Sequence, residues 1–221
     1  MTTFLYTHPA CFEHDPGRHH PASAARLHAV LDALADPEFA RLERREAPEA
    51  ALQDLLRVHP RPHVERLLRA VPKSGHVGID ADTVLSPASG EAALRAAGAV
   101  VAAVDSVAGG EADNAFCAVR PPGHHAEPER AMGFCLLNNI AVGALRARGR
   151  TSSGESLSSI STSITATAPR RLSRPMTRSF MLRRTNRRST LAPARQAKPV
   201  SATSSTCHCG RWRARASFAP R

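Results

Sequence analysis

Apolar residues recur through the first 150 positions in short runs and at helical spacing, and then the pattern stops. Phe4-Leu5-Tyr6 is a short apolar run that predicts a first strand. Between Ser23 and Leu34, the residues Leu27, Val30, Leu31 and Leu34 share one helical face. Val64, Leu67, Leu68 and Val71 repeat that spacing just after Pro62, a residue favoured at helix starts. Ser89 to Ala108 is rich in Ala, Val and Leu; it predicts a long, mostly buried helix with Ser89 at its N-cap. Asn114 to Val119 is apolar and ends in Pro-Pro-Gly, which predicts a buried strand feeding a loop. Leu136 to Leu145 predicts a further helix. Strands that alternate with helices and are themselves apolar imply an α/β fold, with a mainly parallel sheet flanked by helices.

After Arg150 the composition changes. Residues 151–221 hold 23 Ser and Thr and 14 Lys and Arg, all Arg but Lys198, against one acid, Glu155. No apolar period is sustained there, so this tail is expected to be irregular, without a packed core. The charge divides at the same point. The whole chain of 221 residues carries +11. The first 150 residues have 16 basic and 18 acidic side chains, net −2, and the tail has net +13. A pI near 11.0 therefore says nothing about the first 150 residues. Five irregularly spaced cysteines do not form a disulfide framework, which favours a reducing, cytoplasmic setting. No run of eighteen apolar residues occurs, and Met1-Thr2-Thr3-Phe4 lacks the basic start of a signal peptide.

The candidate chemistry lies in Arg120-Pro121-Pro122-Gly123-His124-His125-Ala126 and in Met132-Gly133-Phe134-Cys135-Leu136-Leu137-Asn138-Asn139. A strand ends at Val119, two prolines stiffen its exit, and Gly123 allows a tight bend. His124 and His125 then leave the carboxyl end of a strand, where open α/β sheets place their sites. Paired imidazoles titrate near neutrality and can move protons when a carboxylate tunes one against the other. Taken alone, a His-His pair reads first as an ordinary surface or core pair.

These two blocks resemble those of the zinc-dependent histone deacetylase and acetylpolyamine amidohydrolase family, in its class II-like bacterial branch. R-P-P-G-H-H-A and G-F-C-x-x-N-N match without a substitution. Further similarity runs over about residues 4–147. It includes His14, His19-His20-Pro21 and Arg26, with Ala22 where an acid is usual, and Val58-His59, with His63 where an aromatic is common. Asp80-Ala81-Asp82-Thr83, Ser86-Pro87, Ser89 and Ala92-Ala93 complete it. The resemblance implies the N-terminal part of an arginase/deacetylase-type fold. It implies His125 as general base for a zinc-bound water, with His124 assisting. It also implies Gly133 and Phe134 as walls of a narrow acyl-chain tunnel, and Asp82 as a rim acceptor for substrate backbone. Plain core packing remains open for Phe134, and turn or helix capping for Asp82.

The family's metal block, resembling V-D-F-D-V-H-H-G-N-G-T, is expected after the next strand and is missing. Beyond Arg150 there is no Asp and one His, His208. The tail nevertheless carries the block in another reading frame. Ile160 to Pro169 can be back-translated as ATT TCG ACG TCC ATC ACG GCA ACG GCA CCC. Read one base earlier, after a serine codon ending in G, this gives D-F-D-V-H-H-G-N-G-T. The same shift turns Ser179-Phe180-Met181 into V-F-Y and Val200 to Cys209 into G-V-G-N-I-V-N-V-P-L, another family-like string. From about Arg148 the chain thus reads as an out-of-frame translation. Residues 1–150 are expected to be a truncated deacetylase-like domain, and 151–221 a disordered basic tail.

On this reading Thr162 and Ile164 stand where metal ligands would, and Ile160 stands where a carboxylate would tune the histidines. The chain's end at Arg221 is expected to remove a later Asp and Tyr. Zinc belongs to the family, and none is expected on this chain, which is predicted inactive. The family's substrates would be acetylated lysine or polyamine amides. The alternative is a non-catalytic basic protein that contacts nucleic acid nonspecifically through Arg183-Arg184 and Arg187-Arg188. Cys207-His208-Cys209 has no partner pair and is not read as a metal site. No membrane partner is expected. Losing half a sheet predicts an open apolar edge on the strands that remain.

Overall fold

The structure is a computed structural model that describes residues 1–150 throughout and, beyond them, the backbone of 157–162 and 180–184. The chain divides into Met1–Asn186 and Arg187–Arg221, and the second unit lies outside the described residues. Tail readings at Ile164, Arg187-Arg188 and Cys207-His208-Cys209 fall outside them too.

Strand β1 (Thr3–Thr7) lies inside the sheet. It pairs in parallel with β2 (Leu42–Glu46) on one side and with β5 (Asn114–Cys117) on the other, Phe4 facing Glu43 and Ala115. Its side chains alternate between two buried faces. Phe4 and Tyr6 pack with Val100, Val104, Val107 and Ala115 beneath helix α5 (Ser89–Ala108), while Leu5 packs with Cys11, Leu27 and Ala118 beneath α1 (Ala10–Glu13) and α2 (Ala25–Ala33). Burial on both faces is why this strand reads as a continuous apolar run. The alanines of α5 let it lie against the sheet on one side and, on another, against α6 (Asn139–Arg150).

A third cluster joins α4 (Arg61–Arg69) to the loop after β5 through Leu55, Val64, Leu67, Leu136 and Leu137. Short α3 (Leu52–Leu55) precedes α4, and a two-stranded hairpin, β3 (Val77–Gly78) with β4 (Val84–Leu85), precedes α5.

The structure departs from the expectations at several points. Ser89 is the first residue of α5 and does not cap it: Ala88 holds the N-cap position without a side-chain bond. The Ser89 hydroxyl is instead taken by Ser86 N–H at 2.7 Å and His14 Nδ1 at 2.8 Å. Helix α6 starts at Asn139, three residues later than the apolar pattern suggests, because Asn138 Oδ1 accepts the Ala141 N–H and ends the loop there. Strand β2, Leu-Glu-Arg-Arg-Glu, was not foreseen. It is an exposed edge strand, and its charges blunt that edge while Arg45 lies 4.4 Å over the Phe4 ring.

Two stretches of the tail are described. β6 (Leu157–Thr162) and β7 (Phe180–Arg184) are antiparallel strands, and β7 pairs antiparallel with β5, giving the order β2-β1-β5-β7-β6. The edge of β5 expected to be open is therefore paired. Unsatisfied N–H and C=O groups on an edge accept any extended segment, and Ile160 and Phe180-Met181-Leu182 are suited to one.

Candidate functional site

The site is built where β5 ends. Arg120 is buried at the exit, its guanidinium donating to Cys11 O at 2.7 Å and, twice, to Ala22 O. It thereby fastens the strand end to α1 and to the loop before α2. Burial draws its pKa down to about 10, still far above neutrality. Next, Gly123 passes under the start of α6; a Cβ there would lie 2.5 Å from Asn139 N and 2.6 Å from Leu137 O. The bend sets His124 half-buried and His125 exposed, with ring centroids 4.1 Å apart and planes at 54°.

Five residues singled out from the sequence come together here. Gly133 has φ +59°, and a Cβ on it would meet His125 Cβ and Cδ2 at 2.9 Å. The backbone of Gly133 is thus packed directly on the His125 side chain, a contact only glycine permits. Phe134 also has a left-handed backbone, φ 67°. Its N–H donates to Thr83 Oγ1 at 3.1 Å, and that hydroxyl donates to Asp82 Oδ1 at 3.1 Å. Phe134 is half-buried rather than a core residue. Asp82 is exposed, and its own N–H bonds Asp80 Oδ1 at 3.1 Å.

His20, Thr83 and Cys135 complete the surroundings. The His20 ring meets Phe134 edge-on at 4.6 Å. Its Nδ1 accepts from Ala22 N–H at 3.1 Å, so Nε2 bears the proton and donates to Asp82 O at 3.0 Å. Cys135 Sγ takes the His125 N–H at 3.4 Å. Thr83 belongs to the Asp80-Ala81-Asp82-Thr83 block, but the block by itself assigned it no role. Along the same wall, Phe134 closes a cleft lined by Ser23, Arg26, Leu27, Val119 and Arg120.

His14 and His59 stand apart from this group. Both are buried, and burial is the main cause that holds each below the ordinary histidine range, His14 down to about 4. Among the described residues, no group of three or more His, Cys, Asp or Glu side chains is placed to hold a metal ion. Nor is any helix there long and apolar enough to cross a membrane. Cys11, Cys117 and Cys135 are buried.

A sequence profile of the histone deacetylase domain matches residues 20–155. This chain belongs to the histone deacetylase family. The matched span of this deacetylase-family chain includes Asp82, His124, His125, Gly133 and Phe134. Among its relatives, it is 45% identical over 130 residues to a histone deacetylase-like amidohydrolase of Pseudomonas aeruginosa, covering 59% of this chain and 33% of that protein. It is 37% identical over 145 residues to a probable deacetylase of Archaeoglobus fulgidus, covering 64% and 40%. The crystal structure of the HDA15 HD domain superposes with a TM-score of 0.62 at 31% identity, over 70% of this chain and 44% of that one. The chain thus spans 33% to 40% of the length of these two curated relatives. The comparisons support the expected fold and family, and the resemblance to amidohydrolases as well as deacetylases.

Proposed function

We propose that the gene behind this chain specifies a zinc-dependent deacetylase acting on acetyl-lysine or acetylpolyamine amides, and that the chain as written holds only part of that site and is inactive. The observation that carries this is a site furnished on one side. His124 and His125 pack beside Gly133, Phe134, His20 and Asp82 at the carboxyl end of a parallel strand. The donor block that the resemblance requires is absent in frame.

A catalytic zinc takes three protein ligands and leaves one position open. The residues present do not fit it: the described ones form no such donor group, and after Arg150 the chain has no Asp and one His. In this reading His125 is a proton acceptor and His124 its electrostatic neighbour. Gly133 and Phe134 form the acyl-chain wall, and Asp82 is the rim acceptor. Without an activated nucleophile beside it, His125 faces ordinary water, and the terms that lower an amide's barrier by several kcal/mol each are missing.

The net charge of +13 after Arg150 favours a second reading, nonspecific contact with nucleic acid through the Arg-rich segment. Two experiments separate them. Sequencing the DNA across the codons for residues 145–155 should show an insertion or deletion and an open second frame. The purified 221-residue chain with added zinc should leave an acetyl-lysine fluorogenic substrate at the buffer blank, and the frame-restored gene should turn it over. Turnover by the chain itself, lost in His125→Ala, overturns the proposal. Clean codons with no second frame favour the nucleic-acid reading.

A further inference from the structure

We propose that His59 is a pH-sensitive latch: as a neutral imidazole with its proton on Nδ1, it ties both ends of the segment 126–138 to the scaffold, and so positions the wall of the site. The latch is independent of the deacetylase reading. Its consequence for an acyl-chain tunnel rests on that reading.

The tautomer follows from the two bonds the ring makes. Nε2 lies 3.0 Å from the backbone N–H of Asn138, which can only donate, so Nε2 carries no proton. Nδ1 lies 2.9 Å from Pro128 O, which can only accept, so Nδ1 carries it. One ring thus bridges the early part of the segment to its last residue. Asn138 adds a second tie, donating from Nδ2 to Ala126 O at 2.8 Å.

Between these ties the segment bonds mainly to itself. Met132 and Cys135 exchange backbone bonds of 3.0 Å, and Glu127 and Arg130 bonds of 2.9 and 3.4 Å. At its tip stand Gly133, packed on His125, and Phe134, packed on His20. His59 itself comes from the turn between α3 and α4 and is fully buried at 0% exposure. It acts on the wall only through the segment it holds.

Protonation would break the latch. A proton on Nε2 would face the Asn138 N–H, donor against donor, and the charge would sit in a buried site. The backbone groups of Glu127 and Pro128 favour that charge, and burial outweighs them. From α4, the His63 ring stacks on His59 at 5.4 Å, with Arg66 beside His63 at 3.4 Å. From the segment, Glu127 and Pro128 offer backbone groups to His59, while the Glu129 carboxylate acts on His63. Burial is the main cause that keeps both histidines below the ordinary range of about 6.5, so the latch holds at neutral pH and opens in acid.

The test uses the full 221-residue chain and no turnover, so it can fail without touching the deacetylase reading, and the reverse. Two-bond proton–nitrogen spectra of the imidazoles should show His59 Nδ1 protonated and Nε2 bare at about pH 8. On titration toward acid, exchange protection of the Asn138 amide should fall about tenfold in step with His59, while amides of α5 stay protected. His59→Gln keeps one donor and one acceptor but cannot titrate; it should hold protection near the wild-type level and lose the pH step. His59→Ala should lose protection at every pH. The opposite tautomer, a pH step surviving in His59→Gln, or full protection in His59→Ala overturns the proposal. Should the variants not fold, the wild-type tautomer and titration decide alone.

Discussion

Replacing Gly133 with alanine should both destabilise the chain and displace His125. Two terms add. An alanine held at φ +59° costs about 1–2 kcal/mol relative to glycine, because its Cβ crowds the following carbonyl. The new methyl would also lie 2.9 Å from His125 Cβ and Cδ2 and 3.0 Å from Cγ. Ordinary carbon contacts are about 3.5–4.0 Å, so relief needs several tenths of an ångström. The ring can swing, since His125 is exposed, but Cβ is rooted in the backbone and moves only with the loop. Overpacking of this kind costs about 1–3 kcal/mol. Together the change should cost about 2–5 kcal/mol, a large share of a typical 5–15 kcal/mol stability. Urea unfolding of wild type and Gly133→Ala, at one slope, measures the loss as a lower midpoint. The His124 and His125 ring resonances should shift as well. A stability within about 0.5 kcal/mol of wild type, with both sets of resonances unmoved, refutes the reasoning.

Gly98→Ala should destabilise even though it lies inside helix α5, where alanine is the better helix former by about 1 kcal/mol. The added Cβ would sit 1.9 Å from Pro48 O and 2.7 Å from Ala50 N, both backbone atoms, so packing outweighs propensity; a raised urea midpoint would contradict this. His14 should set part of the acid limb of stability. Its folded pKa, about 4, lies below the unfolded value of about 6.5, so between them the unfolded chain binds the extra proton. Stability should be full above about pH 6.5 and fall as pH drops toward 4, by about 3 kcal/mol, and levelling off below. Urea midpoints across that range check it, and His14→Gln should flatten the slope.

What the sequence determined by itself was local order and kinship. Phe4-Leu5-Tyr6, Asn114 to Val119 (a strand that in the structure ends at Cys117) and the alanine-rich stretch after Ser89 read as strand, strand and buried helix, because burial on several sides leaves a continuous apolar signature. The R-P-P-G-H-H-A and G-F-C blocks pointed to the family because their spacing is long and specific. What failed was decided by contacts outside the local pattern. Leu42–Glu46 is polar, and only pairing with β1 makes it a strand. Ser89 looked like a cap, but its hydroxyl is claimed by His14, 75 residues away. That Gly133 must be glycine follows from His125 pressing on it, and the weight of His59 follows from Pro128 and Asn138 meeting its two nitrogens. Hydrogen bonds and close contacts of this kind, between residues up to 79 positions apart, have no periodicity to read; they exist only once the sheet and helices have brought the loops together.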